Sequence, residues 1–248
     1  MQNYRMTIAY DGRKYTGFSK TKNNAEKSVQ GKIEAILLKL YGSEVEVIGA
    51  VNTDAGVHAK EQIINFVAPN GEQSSRDLKF YVDKYLPDDL IVLDVEEADE
   101  RFHSRYNVKA VTYEYRLWKR NASHRPLFDR QYVNFMSQVL DVNKMQQAAG
   151  DLIGEHDFLA FTTNKKTKKS IKEIKAVEVK ETNNEIIITM TATGFLLNME
   201  RVIVGTLVQI GLGQLTVNAI SKGIRTRDME EVGHKASAGA LSLVKVEY

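Results

Sequence analysis

The sequence contains no cysteine. This excludes a disulfide framework, thiolate catalysis and any cysteine-ligated zinc or iron–sulfur centre. It is compatible with a reducing compartment. Proline is scarce, at 3 in 248 residues, and glycine is ordinary, at 16, so no Pro/Gly-rich disordered segment exists. No apolar run reaches the roughly 18 residues of a membrane span. The N-terminal MQNYRMTIAYDG enters a strand pattern directly and lacks the apolar core of a secretory leader. A soluble cytoplasmic chain without a membrane partner is expected. Walker A, G-x-G-x-x-G and H-E-x-x-H patterns are missing, and His103 and His156 show no metal-ligand spacing.

What is present is a 43% apolar chain, enough for a packed core in one large domain or two small ones. The net charge of +2 hides an uneven distribution. Lys165–Lys175 holds six lysines and one glutamate, whereas Asp83–Glu100 holds eight acidic residues and one lysine. Such a division supplies either a basic face for a polyanion or merely two solvated loops.

Alternation predicts strands at Asn3–Tyr10, Glu44–Val51, Gln62–Ala68, Leu90–Val95, Lys109–Trp118, Gln131–Phe135 and Gly239–Glu247. Lys172–Lys180 and Glu185–Thr193 read as a hairpin turning at Asn183-Asn184. Helices are predicted at Val29–Leu40 (capped by Ser28 and ended by Gly42), Asp77–Tyr85, from Asp141 to about Leu152, Leu197–Leu212 and Val217–Ile224. The order lacks βαβ alternation, so an α+β fold with antiparallel sheet is expected. No sequence repeat is visible, and a boundary near 100–108 divides the chain into 1–105 and 106–248.

The sharpest chemical segment is Asn52-Thr53-Asp54-Ala55-Gly56-Val57-His58-Ala59, between two predicted strands. Gly56 permits a tight turn and Ala55 leaves space for a ligand. Thr53 and nearby N–H groups are placed to direct the Asp54 carboxylate, which would serve as nucleophile or base. A solvated turn is the bland alternative. His58 reads as a base or as a structural histidine. Arg201 lies in a predicted buried helix and needs a carboxylate from elsewhere in the chain unless it sits at the rim; Glu200 points off another face. Tyr113 and Tyr115 share a strand face, for core packing or for base stacking. Gly205, Gly211 and Gly213 suggest close helix packing rather than phosphate binding.

Taken in order, several segments resemble the TruA family of tRNA pseudouridine synthases. They are Ile8-Ala9-Tyr10-Asp11-Gly12 with Tyr15-x-Gly17-Phe18, Ser28-Val29-Gln30, the Asp54 segment, Leu86-Pro87-Asp88-Asp89 and Arg101-Phe102-His103-Ser104-Arg105. Tyr113-x-Tyr115, Gly154-x-His156-Asp157-Phe158-x-x-Phe161, Gly194-Phe195-Leu196 with Asn198-Met199-x-Arg201, and Ala236-Ser237-Ala238-Gly239 continue the series. The resemblance implies the pseudouridine synthase fold: two similar α/β halves sharing a large antiparallel sheet, with a central cleft. It implies a homodimer acting on tRNA at positions 38 to 40 of the anticodon stem-loop, without metal or organic cofactor.

By the same resemblance Asp54 is the catalytic carboxylate and Tyr113 packs against the target base. Arg201 is the charge partner that keeps Asp54 ionised, and Leu196 lines the pocket. Asn52, Thr53 and His58 flank the substrate. Arg13, Lys14, Lys20, Lys22 and the cluster Lys165, Lys166, Lys168 and Lys169 would hold its phosphates. The chain departs from the family pattern at Asn52, where an arginine is usual, at Phe18-Ser19 in place of Trp-Gln, at Lys169 and at Glu200. Asn52 favours the alternative of a catalytically weak RNA-binding relative, because a carboxamide does not reproduce a guanidinium fork. An unrelated carboxylate hydrolase would need a second acidic motif opposing Asp54, and the sequence offers none.

Overall fold

The structure, a computed structural model, describes residues 1–69 and 73–248. The elements follow in order as β1 (Gln2–Tyr10), α1 (Val29–Tyr41), β2 (Ile48–Gly49), β3 (His58–Ala68), α2 (Ser75–Tyr85), β4 (Leu90–Ala98), β5 (Ala110–Trp118), β6 (Asn134–Phe135), α3 (Val142–Gly150), β7 (Gly154–Asp157), β8 (Ile171–Glu181), β9 (Glu185–Ala192), α4 (Met199–Gly211), α5 (Ala219–Thr226) and β10 (Leu241–Glu247). The mixed α+β class is as expected. Residues 1–109 and 242–248 group into one unit, and residues 110–241 into a second. Among the described residues no helix is long and apolar enough to cross a membrane.

In the first unit β1 lies between β3 and β4, antiparallel to both, with Met6 opposite Ile64 on one side and Val95 on the other. Alternate β1 residues Tyr4, Met6, Ile8 and Tyr10 are buried, as a half-buried strand requires. Helix α1 begins where Ser28 accepts the Gly31 N–H, ends at Gly42 and buries Val29, Ile33, Ile36 and Leu37. Helix α2 is capped by Ser74 through the Asp77 N–H and buries Leu78 and Val82. Strand β10 pairs with the start of β3 in parallel, Ser242 with His58 and Leu243 with Ala59.

In the second unit β9 lies between β5 and β8, and β7 flanks β8, all antiparallel. Val111, Tyr113, Tyr115 and Leu117 are all buried, so the alternation of β5 marks its core face. The β8–β9 hairpin turns at Asn183-Asn184. Helix α4 is apolar on most sides and buries Val202, Ile203, Val204, Leu207 and Ile210.

Several expectations need correction. Of Glu44–Val51 only Ile48–Gly49 is a strand. Val45 and Val47 are buried, but the Val47 N–H donates to Glu34 Oε1 at 3.1 Å and its carbonyl accepts from Gln30 Nε2 at 3.0 Å. Side chains of α1 thus replace a neighbouring strand. Of Gln131–Phe135 only Asn134–Phe135 is a strand, and Gln131 ends a 3-10 turn that begins at Asp129. Helix α4 starts at Met199, two residues later than expected, and β7 was not anticipated. The sheets are not wholly antiparallel, since β10 pairs β3 and β6 pairs β5 in parallel. A Cβ at Gly213 would meet open space, so this glycine marks no close packing; it takes up a positive φ of 71° after α4.

Gly205 does mark close packing. A Cβ there would lie 1.6 Å from the His234 carbonyl oxygen, a backbone atom with no rotamer to change. Gly205→Ala is therefore expected to destabilise the protein by about 3 kcal/mol, at the upper end for overpacking. Urea denaturation measures this, and an unchanged midpoint would mean that the 234 segment does not rest on α4.

Candidate active site

In the first unit Asp54 sits on a turn closed by the Val57 N–H donating to the Asp54 carbonyl at 3.1 Å, with Gly56 at φ 81°. The loop after β1 grips this turn. Gly17 and Asp54 form an isolated antiparallel bridge, and the Phe18 N–H donates to the Thr53 carbonyl at 3.1 Å. Gly17 has φ 113°, and a Cβ would stand 2.7 Å from the Thr53 oxygen, so only glycine fits. Asn52 is exposed, and its Oδ1 accepts the Ser19 N–H at 3.2 Å. Asp54 itself is half-buried.

Beneath the turn is a buried polar cluster. The Thr53 hydroxyl bonds the Tyr10 phenol at 2.7 Å. This bond ties the Thr53 hydroxyl to the sheet below the turn. Gln62, fully buried in β3, donates to the Val51 carbonyl at 2.8 Å and accepts the Val51 N–H at 3.4 Å. His58 is buried, and its Nδ1 accepts the Gly12 N–H at 3.1 Å and lies 3.2 Å from Asp11 Oδ1. Arg13 is exposed and pairs with Asp11, and Lys14 lies 3.2 Å from Asp89.

The second unit holds the other residues. Tyr113 is 2% exposed on β5, and its ring meets Phe195 edge-on at 5.3 Å. Leu196 is half-buried beside it in the chain. Arg201, in the first turns of α4, is half-buried. Its Nε donates to the Ala236 carbonyl at 2.8 Å, and a terminal N–H donates to Asn198 Oδ1 at 3.2 Å. Backbone bonding of Ala236 N–H to the Arg201 carbonyl at 2.9 Å ties the same segment to the helix. Glu200 is buried in the first turn, where the helix N-terminus favours negative charge. Lys165, Lys166, Lys168 and Lys169 are exposed on the loop before β8, whose turn is set by the Thr167 N–H donating to the Asn164 carbonyl at 3.2 Å. Among the described residues no group of three or more His, Asp or Glu side chains is placed to hold a metal.

A family profile described as tRNA pseudouridine synthase matches residues 6–107 and 148–248. The chain belongs to the tRNA pseudouridine synthase family. A Bacillus cereus protein named tRNA pseudouridine synthase A 2 is 41% identical over 249 residues, covering all of both chains. The Acetivibrio thermocellus tRNA pseudouridine synthase A is 36% identical, again covering all of both, and a Clostridium tetani tRNA pseudouridine synthase A 1 matches at the same level. These relatives place the chain in the TruA branch, whose members are isomerases that convert uridine to pseudouridine in tRNA.

Within this synthase the first unit brings Asn52, Thr53, Asp54, His58, Arg13 and Lys14 around the loop that follows β1. The second brings Tyr113 to Phe195 and Arg201 to Asn198. Sequence reasoning passed over Gln62 and the supporting role of Tyr10. A glutamine directly before the apolar pair Ile63-Ile64 in a predicted strand was the available signal for Gln62. Burial pushes the Tyr10 phenol from 10.0 up to about 12, against the lowering by the Thr53 and Gln62 side chains. Since the folded synthase keeps that proton longer than the unfolded chain, the contribution is intact below pH 10 and is lost as pH rises toward 12. Urea midpoints taken from pH 9 to 12 should fall, and Tyr10→Phe should flatten that fall while lowering stability at pH 8 by about 1 kcal/mol. Superimposable pH profiles for the two proteins would refute this assignment.

Proposed function

We propose that the protein isomerises uridines in the anticodon stem-loop of tRNA, with Asp54 as the catalytic carboxylate, Arg201 as its charge partner and Tyr113 as the ring against the target base. The observation that carries this reading is the presentation of Asp54. A carboxylate stands on a turn braced from below by Tyr10, Thr53 and Gln62 and from the side by Gly17 and Phe18. Such bracing is what a reacting group needs to hold a productive geometry. Membership of the family over the length of the chain supplies the reaction class.

Uridine becomes pseudouridine when the base leaves C1′, rotates and reattaches through C5, the C5 hydrogen departing as a proton. The Asp54 carboxylate can begin this by attack on the sugar or by removal of its 2′ proton. A base in the anticodon stem is stacked, and unstacking it costs a few kcal/mol. Contacts to the flipped base and to phosphates offset that cost. Leu196 would supply apolar lining, and Asn52, Thr53 and His58 the flank of the pocket. Arg13, Lys14 and the 165–169 lysines would hold the backbone. The working form in this proposal is a cytoplasmic homodimer.

A second reading, a catalytically weak RNA-binding relative, is favoured by Asn52, whose carboxamide receives the Ser19 N–H and carries no charge. Tritium release from tRNA labelled at uridine C5 separates the two. Wild type should release tritium, and Asp54→Asn should lower the rate at least about thousandfold while tRNA affinity stays within about threefold. Mapping of the product should place pseudouridine in the anticodon stem-loop. Binding without release by the wild type would establish the second reading, and product confined to another tRNA region would refute the site assignment.

The lysine loop makes its own prediction. Changing Lys165, Lys166, Lys168 and Lys169 to glutamine should weaken tRNA binding about tenfold or more at low salt. It should also reduce the slope of log affinity against log salt by up to about 3, the contribution of four phosphate contacts to single-stranded RNA. An unaltered slope would leave these lysines as a solvated turn.

A further inference from the structure

The start of α4 contains a side chain that does not cap the helix backbone. Asn198 occupies the N-cap position at φ 61°, ψ 10°, yet its side chain makes no cap hydrogen bond. Asparagine tolerates this left-handed backbone better than other non-glycine residues. Its carboxamide instead makes one local and one tertiary bond. Oδ1 accepts from Arg201 at 3.2 Å, and Nδ2 donates to the Thr163 hydroxyl at 2.7 Å. The orientation is forced, because a guanidinium has only donors and must face the amide oxygen.

Thr163 is the root of the loop carrying Lys165–Lys169. The same junction is held twice more: the Thr162 hydroxyl donates to the Leu197 carbonyl at 3.0 Å, and the Thr163 N–H donates to that oxygen at 3.3 Å. The Asn164 N–H donates to Thr162 Oγ1 at 3.2 Å, and the Asn164 carboxamide oxygen accepts the Lys166 N–H at 3.2 Å. A continuous set of hydrogen bonds therefore runs from the lysine-bearing turn, through Thr163 and Asn198, to the guanidinium of Arg201. On its far side Arg201 is fixed by the Ala236 carbonyl.

We propose that Asn198 is a positioning residue, joining the root of the lysine-bearing loop to Arg201 so that the loop and the guanidinium are set in one arrangement. It acts through Arg201 and not on the substrate. The inference rests on the reading above in one respect, the place of Arg201 in the active site.

The test uses Asn198→Gly, which keeps the positive φ without strain, Thr163→Val, which removes the hydroxyl at equal size, and Thr163→Ser, which restores it. Arg201→Ala serves as the control on the underlying reading. Single-turnover rate, tRNA affinity and thermal midpoint are measured for each. Asn198→Gly should slow the reaction about tenfold to a hundredfold, the range for losing a hydrogen bond to a charged group, with affinity within about twofold. Thr163→Val should lose several-fold, Thr163→Ser should recover wild-type rate, and the double variant should be no slower than Asn198→Gly alone.

Wild-type rates for Asn198→Gly and Thr163→Val beside an inactive Arg201→Ala would overturn the positioning role and leave the reading of Arg201 standing. An active Arg201→Ala would overturn both. Additive losses in the double variant, or losses that follow the thermal midpoint and are not rescued by serine, would reduce Asn198 to a structural residue.

Discussion

The hydrogen bond between Tyr10 and Thr53 holds a loop to a sheet, and the presentation of Asp54 depends on it. A loop offers a carboxylate to a ligand more openly than a strand does, but its backbone has no ladder to keep it still. Here the ladder is replaced by side chains from below. Tyr10 comes from β1 and Gln62 from β3, and both reach the 51–53 segment within the core. Burial strengthens these bonds and makes their loss expensive. The turn above them can remain open to solvent without becoming loose.

The second unit solves a related problem with a different residue. A guanidinium carried in the early turns of an apolar helix has to be aimed, and a long flexible side chain does not aim itself. The Ala236 carbonyl and the Asn198 carboxamide fix its plane from two directions. Tyr115 adds a further tie to the same segment through Ser237, at 2.9 Å. The 234–237 segment is in turn seated on α4 at Gly205, where the absence of a side chain lets backbone meet helix. Charged chemistry is thus supported by close packing one helical turn away.

Much of this was legible in the residues. Ser28 and Gly42 bound α1 because capping is a local event. The β5 face was legible because alternation reports directly on burial. The Asp54 turn stood out through its small flanking residues. What could not be read depended on partners distant in sequence. Val45 and Val47 alternate like a strand, yet the backbone there is satisfied by Glu34 and Gln30 of α1. The tie between Thr53 and the Tyr10 phenol joins residues far apart in sequence and leaves no local pattern. Asn198 was visible as part of a motif, but its bond to Thr163 required the loop before β8 to fold back on α4.

The placement of β10 carries a consequence for synthesis. Its residues complete the first unit by lying along the opening of β3, at His58 and Ala59, directly after the Asp54 turn. Tyr248 closes the same unit from the outside, its phenol donating to the Ser104 carbonyl at 2.8 Å and its ring meeting Phe102 at 5.1 Å. A ribosome therefore delivers the first 109 residues well before the strand that finishes their sheet. Until residues 242–248 emerge, the flank of β3 beside the carboxylate turn lacks its native neighbour. The unit that carries the Asp54 turn is the first to be made and the last to be sealed.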